Sequence, residues 1–77
     1  MQPNELLRMM VESRQLTQRD ASLKFGRSPN YVSRMYAGGF NPQTAVLAEL
    51  ADVLDYDLLL RDRFSGTEII IDPPQGD

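Results

Sequence analysis

Seventy-seven residues without cysteine or histidine, carrying eight basic and eleven acidic side chains for a net charge of −3, make one small domain whose core alone is marginal. Disulfides and thiolate metal sites are excluded, and the common nucleophile–base and zinc arrangements cannot be assembled, so no enzyme, metal or cofactor is expected. No apolar run approaches a membrane span and the N-terminus lacks a basic flank before an apolar core, so the expectation is a soluble, untargeted chain in a reducing cytoplasm.

In chain order, a first helix is predicted from Pro3 or Asn4 to about Arg14, with Leu7, Met10, Val11 and Arg14 at the three-and-four spacing of one inward stripe. Met9, Met10 and Met35 read as core filler. A second helix opens at Thr17, a capping residue with Asp20 three positions on, turns Ala21 and Phe25 to one face and closes at Gly26. The third helix follows almost at once. Ser28 is its predicted N-cap, Pro29 its first position, Val32 and Met35 its inward stripe, and Gly38-Gly39 its end. Two short helices so joined form a helix-turn-helix, a device for laying one helix in a DNA major groove. The outer face left to the third helix is Asn30, Tyr31, Ser33 and Arg34, all hydrogen-bonding types.

A fourth helix is announced by Asn41 as N-cap and Pro42 at the first position, and runs through Leu47, Leu50, Ala51 and Leu54. After Leu54 the pattern changes: two short apolar runs flank Ser65-Gly66 and predict a β-hairpin from about Tyr56 to Asp72, with Arg63 facing Glu68. Pro73-Pro74 ends the second strand, and 75–77 reads as a loose tail. The predicted organisation is thus a helical unit over 1–55 and a hairpin over 56–74.

The charge divides the same way. Residues 1–51 hold six basic side chains (Arg8, Arg14, Arg19, Lys24, Arg27, Arg34) against Glu5, Glu12, Asp20 and Glu49, a balance of +2. The remaining 26 residues hold Arg61 and Arg63 against seven acids, a balance of −5. Because the local field of the docking face governs phosphate binding, acidity gathered elsewhere is tolerable.

From Leu16 to Leu54 the chain resembles the Cro/lambda-repressor-like (XRE) helix-turn-helix family. The residues that carry the resemblance are Leu16, Thr17-Gln18, Ser22, Gly26, Ser28, Val32, Ser33, Gly38 and Pro42, followed by Leu47, Leu50, Ala51 and Leu54. It implies a mostly α fold, a four-helix lambda-repressor-like helix-turn-helix domain, here with a C-terminal β-hairpin. Several positions depart from the family pattern. Ala21 and Leu23 stand where a leucine and a polar residue are common, which implies a shifted second helix or a Leu23 that faces a neighbour. Val11 and Tyr36 replace a frequent Arg–Glu pair, as if an ion pair had been exchanged for packed surface. Arg27 replaces an aliphatic and is expected to reach a phosphate, and Pro29 removes a frequent adenine-reading glutamine.

Residue by residue, the resemblance implies that Gln18 binds a backbone phosphate, with Ser28 and Asn41 as similar candidates at the edge of the groove. Asn30 and Arg34 fall at base-reading positions, where Asn suits adenine and Arg guanine, while Tyr31 and Ser33 meet phosphate, sugar or a thymine methyl. The bland alternatives are a Gln18 that is merely solvated and a Tyr31 that lies against the second helix.

Leu58-Leu59-Leu60 and Ile69-Ile70-Ile71 put apolar side chains on both faces of each strand, more than four short helices can cover. A second copy of the hairpin is the economical cover, so Leu58, Leu60, Ile69, Ile70 and Ile71 are the expected dimer interface; the alternative is a hairpin folded back on its own domain. Some relatives, including phage Cro proteins and antitoxins of toxin–antitoxin pairs, join subunits through strands placed after the helices. The resemblance therefore implies a sequence-specific, dimeric, bacterial or phage-encoded transcriptional regulator on the nucleoid, more a repressor than an activator. Its partners would be double-stranded DNA, a second copy and, for an autoregulating antitoxin, a toxin. A helix-turn-helix scaffold used only for protein–protein contact is the alternative, favoured by the acidic total charge and Pro29.

Overall fold

The computed structural model describes residues 1–38 and 41–74; Gly39 and the expected tail at 75–77 lie outside the described residues. Four helices precede a two-stranded antiparallel sheet: α1 (Pro3–Ser13), α2 (Gln18–Lys24), α3 (Tyr31–Tyr36), α4 (Thr44–Val53), β1 (Leu58–Arg61) and β2 (Glu68–Ile71). The predicted mostly α architecture with a terminal hairpin is present.

α1 starts where Pro3 takes the first helical position, its missing N–H costing nothing there, and the Glu5 carboxylate accepts the Gln2 N–H at 3.4 Å. α2 is capped as predicted, with Thr17 Oγ1 accepting the Asp20 N–H at 3.0 Å. It closes at Gly26, which takes φ +71°, so that the Arg27 N–H donates back to the Ser22 carbonyl at 3.0 Å. α1 and α4 close by the same pattern without glycine. Gln15 (φ 58°) and Asp55 (φ 61°) adopt the left-handed conformation, and Leu16 and Tyr56 donate to the carbonyls of Val11 and Ala51 at 3.3 and 2.8 Å.

The inward stripes meet in one core: Leu7, Met10 and Val11 from α1, Ala21 and Phe25 from the α2 segment, Val32 and Met35 from α3, and Leu47, Leu50, Ala51 and Leu54 from the α4 segment. Ala21 is fully buried and Leu23 half exposed, so α2 keeps its register and Leu23 points outward. Met9 departs from the expected core filler. With Leu7, Met10 and Val11 inward, helical spacing turns it out, and it is 43% exposed. Arg14, predicted on the same stripe, also leaves the core. Its guanidinium donates to the carbonyls of Leu54 at 2.9 Å and Asp55 at 3.3 Å and lies 4.2 Å from the Tyr56 ring centroid, capping the acceptors that the end of α4 leaves unpaired.

Two helix starts differ from the prediction. Ser28 does not cap α3, and Pro29 is not its first position; residues 28–31 make a turn in which the Tyr31 N–H donates to the Ser28 carbonyl at 3.0 Å, and Asn30 is the capping position. The Ser22 hydroxyl takes over the cap. It donates to the Gln18 carbonyl at 2.7 Å and accepts the Val32 N–H at 2.9 Å, so that the fully buried Ser22 bridges α2 to the first turn of α3. Ser22→Ala is expected to cost about 1–3 kcal/mol by leaving that N–H buried without an acceptor. Urea unfolding measures it, and an unmoved midpoint would show that the bridge is dispensable.

Asn41 and Pro42 likewise precede α4, which starts at Thr44 with Gln43 as the capping position. Asn41 Oδ1 accepts the Asn4 N–H at 3.2 Å and so serves the start of α1, a tertiary partner that local spacing does not reveal.

β1 and β2 pair Leu58 with Ile71, Leu59 with Ile70, Leu60 with Ile69 and Arg61 with Glu68. The expected partner of Glu68, Arg63, instead sits in the loop. Asp62 sets this register: its carboxylate accepts the N–H groups of Phe64 at 2.8 Å and Ser65 at 3.4 Å, and its carbonyl accepts Gly66 N–H at 2.9 Å. The Phe64 N–H, with that of Ser65, holds the Asp62 carboxyl below the usual carboxylate range. Because the shift from the predicted register is two residues, every side chain keeps its face.

The hairpin touches the helical core at its base only. Tyr56 and Leu58 pack there and Ile71 is half-buried, whereas Leu59, Leu60, Ile69 and Ile70 stand 37%, 63%, 63% and 55% exposed and Phe64 is fully exposed at the tip.

Candidate nucleic-acid interface

The crossing of α2 and α3 leaves a groove of about 570 Å³ lined by Gln18, Arg19, Pro29, Asn30 and Ser33. Three of the sequence-predicted residues, Gln18, Asn30 and Ser33, thus meet in one concavity. Asn30 Oδ1 accepts the Ser28 hydroxyl at 2.9 Å and its carbonyl accepts the Ser33 hydroxyl at 3.1 Å. These bonds fix the first turn of α3 and use the acceptor end of the Asn30 amide, leaving its NH₂ group directed to no partner among the described residues. The Gln18 backbone carbonyl accepts the Ser22 hydroxyl, and its side-chain amide has no hydrogen-bond partner among the described residues.

Arg34 is exposed on α3 outside the groove lining and makes no ion pair among the described residues. Ser28 is exposed beside Asn30. Asn41 is not brought to this groove, since its carbonyl oxygen is bound to the start of α1. Tyr31 is half-buried against the core, with the Arg27 guanidinium 5.4 Å from its ring centroid.

Arg27 departs from the expected phosphate contact. Its guanidinium is spent within the fold, on the Glu49 carboxylate at 3.3 Å and the Phe25 carbonyl at 3.1 Å, and the bond to Glu49 raises its pKa above the usual arginine value. The replaced aliphatic is thereby exchanged for a tie from the α2–α3 turn to α4. Two residues of the groove, Arg19 and Pro29, were not among the predicted contacts. Arg19 follows Gln18 in the first turn of α2, and that adjacency, with its place among the six basic side chains of the helical unit, is the sequence signal for it.

Val11 is buried and Tyr36 packs against the core cluster that contains it, so apolar packing occupies the place of the family's ion pair. Among the described residues no group of three or more potential ligands that could hold a metal ion occurs, and no helix is long and apolar enough to cross a membrane.

Two consecutive helices, a tight turn and a groove at their crossing define a helix-turn-helix protein. A family model described as a helix-turn-helix domain matches residues 5–64, from the first turn of α1 to the hairpin loop, and the chain belongs to that family. No curated protein and no solved structure matches it. Membership agrees with the Cro/lambda-repressor-like resemblance and points to a DNA-binding regulator.

Proposed function

We propose that this protein is a sequence-specific transcriptional repressor that binds a palindromic operator as a dimer, acting in the cytoplasm of a bacterium or on behalf of a phage, with no catalytic activity. The observation that carries the reading is the groove in which Gln18, Asn30 and Ser33 converge beside an exposed Arg34. Gln18 and Ser28 position the backbone, and Asn30 and Arg34 read base edges. Autoregulation as an antitoxin, with a toxin on the acidic C-terminal part, is the most specific form of this reading.

The dimer half rests on the hairpin. Leu59 and Ile70 share one face with Arg61 and Glu68, each pair directly cross-strand. A two-fold axis parallel to the strands sets Leu59 of one copy over Ile70 of the other and Arg61 over Glu68, complementary in both shape and charge. Of the expected interface residues, Ile70 falls on this face and is joined by Leu59, whereas Leu58, Leu60, Ile69 and Ile71 share the opposite face, on which Leu58 and Ile71 are half-buried in their own domain.

Selection of bound sequences from a random DNA pool tests the whole reading, the expected product being paired half-sites. The second reading, a scaffold for protein contact alone, draws on the net charge of −3 and on Pro29, and a pool with no enrichment would decide for it. On the selected site, Arg34→Ala is expected to cost about 1–3 kcal/mol and relax preference mainly at one base pair, whereas Gln18→Ala weakens all sequences alike. Fluorescence anisotropy on a panel of site variants separates the two, and an Arg34→Ala protein with unchanged affinity and preference would remove that residue from the reading face.

A further inference from the structure

The helical domain holds six cations, and the fold commits three of them. Arg8 pairs with Glu12 at 3.0 Å, Arg27 with Glu49 at 3.3 Å, and Arg14 with the carbonyl end of α4. Arg19, Lys24 and Arg34 have no ion pair or side-chain hydrogen bond among the described residues. Of these three, Arg19 alone lines the groove, and it is that lining's one charged side chain. Lys24 lines a separate hollow of about 180 Å³ with Arg14, Leu16, Val53, Leu54 and Asp55.

A protein with more acidic than basic groups needs its positive field concentrated where a polyanion docks. Within the groove lining the one positive charge is that of Arg19, next to Gln18 in the first turn of α2. We propose that Arg19 is the electrostatic anchor of the groove and contacts a backbone phosphate of the bound duplex. The inference rests on the DNA-binding reading above. A planar guanidinium grips phosphate oxygens through two parallel N–H bonds, stronger and more directional than the amide of the neighbouring Gln18. Because phosphate is common to every sequence, Arg19 supplies affinity and orientation, and the base preference stays with Asn30 and Arg34.

The test measures binding of the intact protein to the selected duplex and to a scrambled one across a series of KCl concentrations, for the wild type, Arg19→Ala, Arg19→Lys and Lys24→Ala. Arg19→Ala is expected to reduce the slope of log K against log salt by about 1, and to weaken both duplexes by the same factor. Arg19→Lys keeps the charge and should retain the slope, and Lys24→Ala should leave it unchanged. An unaltered slope in Arg19→Ala, or a loss confined to one base pair, overturns the phosphate contact while leaving the DNA-binding reading intact. A wild type that binds neither duplex removes that reading, and the inference with it.

Discussion

Tyr36→Ala is expected to destabilise the fold by about 2–4 kcal/mol, through loss of an aromatic side chain from the α1–α3 contact and the cavity left behind. The ring packs against the core cluster containing Val11 and lies under the Arg8 guanidinium, 5.3 Å from its centroid. The hydroxyl behaves differently from the ring. It is buried with no hydrogen-bond partner among the described residues, so Tyr36→Phe should leave stability unchanged or raise it. Burial pushes the phenol above its ordinary 10.0, and the nearby Glu12 carboxylate adds to the shift. With the folded value raised, the tyrosine's contribution is fully present below the unfolded value and is lost as the pH rises through the folded one. The wild type should therefore lose stability in alkali that the Phe variant keeps. Thermal melts of the three proteins from neutral pH to above pH 10 measure all of this. An Ala variant with an unmoved midpoint would show that Tyr36 is not part of the core.

The contrast between Tyr36 and Arg27 shows how far a departure from a family pattern can be read. At both positions the substitution is visible in the sequence, but its partner is visible only for Tyr36, because Val11 occupies the other half of a known pair. Arg27 has no such counterpart in the pattern. Its partner Glu49 lies on α4, and the bond between them depends on tertiary placement. The helix stripes were legible because a 3.6-residue period is a local property, and the buried set agrees with them at Leu7, Met10, Val32 and Leu50.

Helix ends were legible only where the chain marks them with a special residue. Gly26 marks the end of α2, but Gln15 takes the same left-handed conformation with nothing in its chemistry to announce it, and Asp55 does so with only the modest left-handed preference of aspartate. Ser28 and Asn41 satisfy the local rules for caps and are used otherwise, because Ser22 caps α3 from another helix and the start of α1 claims Asn41. The site divides similarly. Outward polar positions on α3 follow from periodicity, whereas Arg19 and Pro29 belong to the groove because two helices cross beside them.

Ile70→Lys is expected to have the largest effect on binding to a full operator, while sparing each half-site contact. Ile70 lies opposite Leu59 on the hairpin, and a two-stranded sheet alone is marginal in water. Leu59 and Ile70, 37% and 55% exposed, form the apolar part of their hairpin face, with Arg61 and Glu68 next to them. A lysine at 70 would set an ammonium against Leu59 of the second copy, whose apolar contact it replaces, and so oppose association. The helical core, which the hairpin meets only through its base, should melt nearly as before. With the two half-site contacts no longer joined, the operator is bound far more weakly, and the loss should be much smaller on a single half-site. Sedimentation equilibrium at tens of micromolar reads the assembly directly. An intact chain that is already a monomer there, or an Ile70→Lys chain that remains a dimer, would show that the hairpin is not the subunit joint.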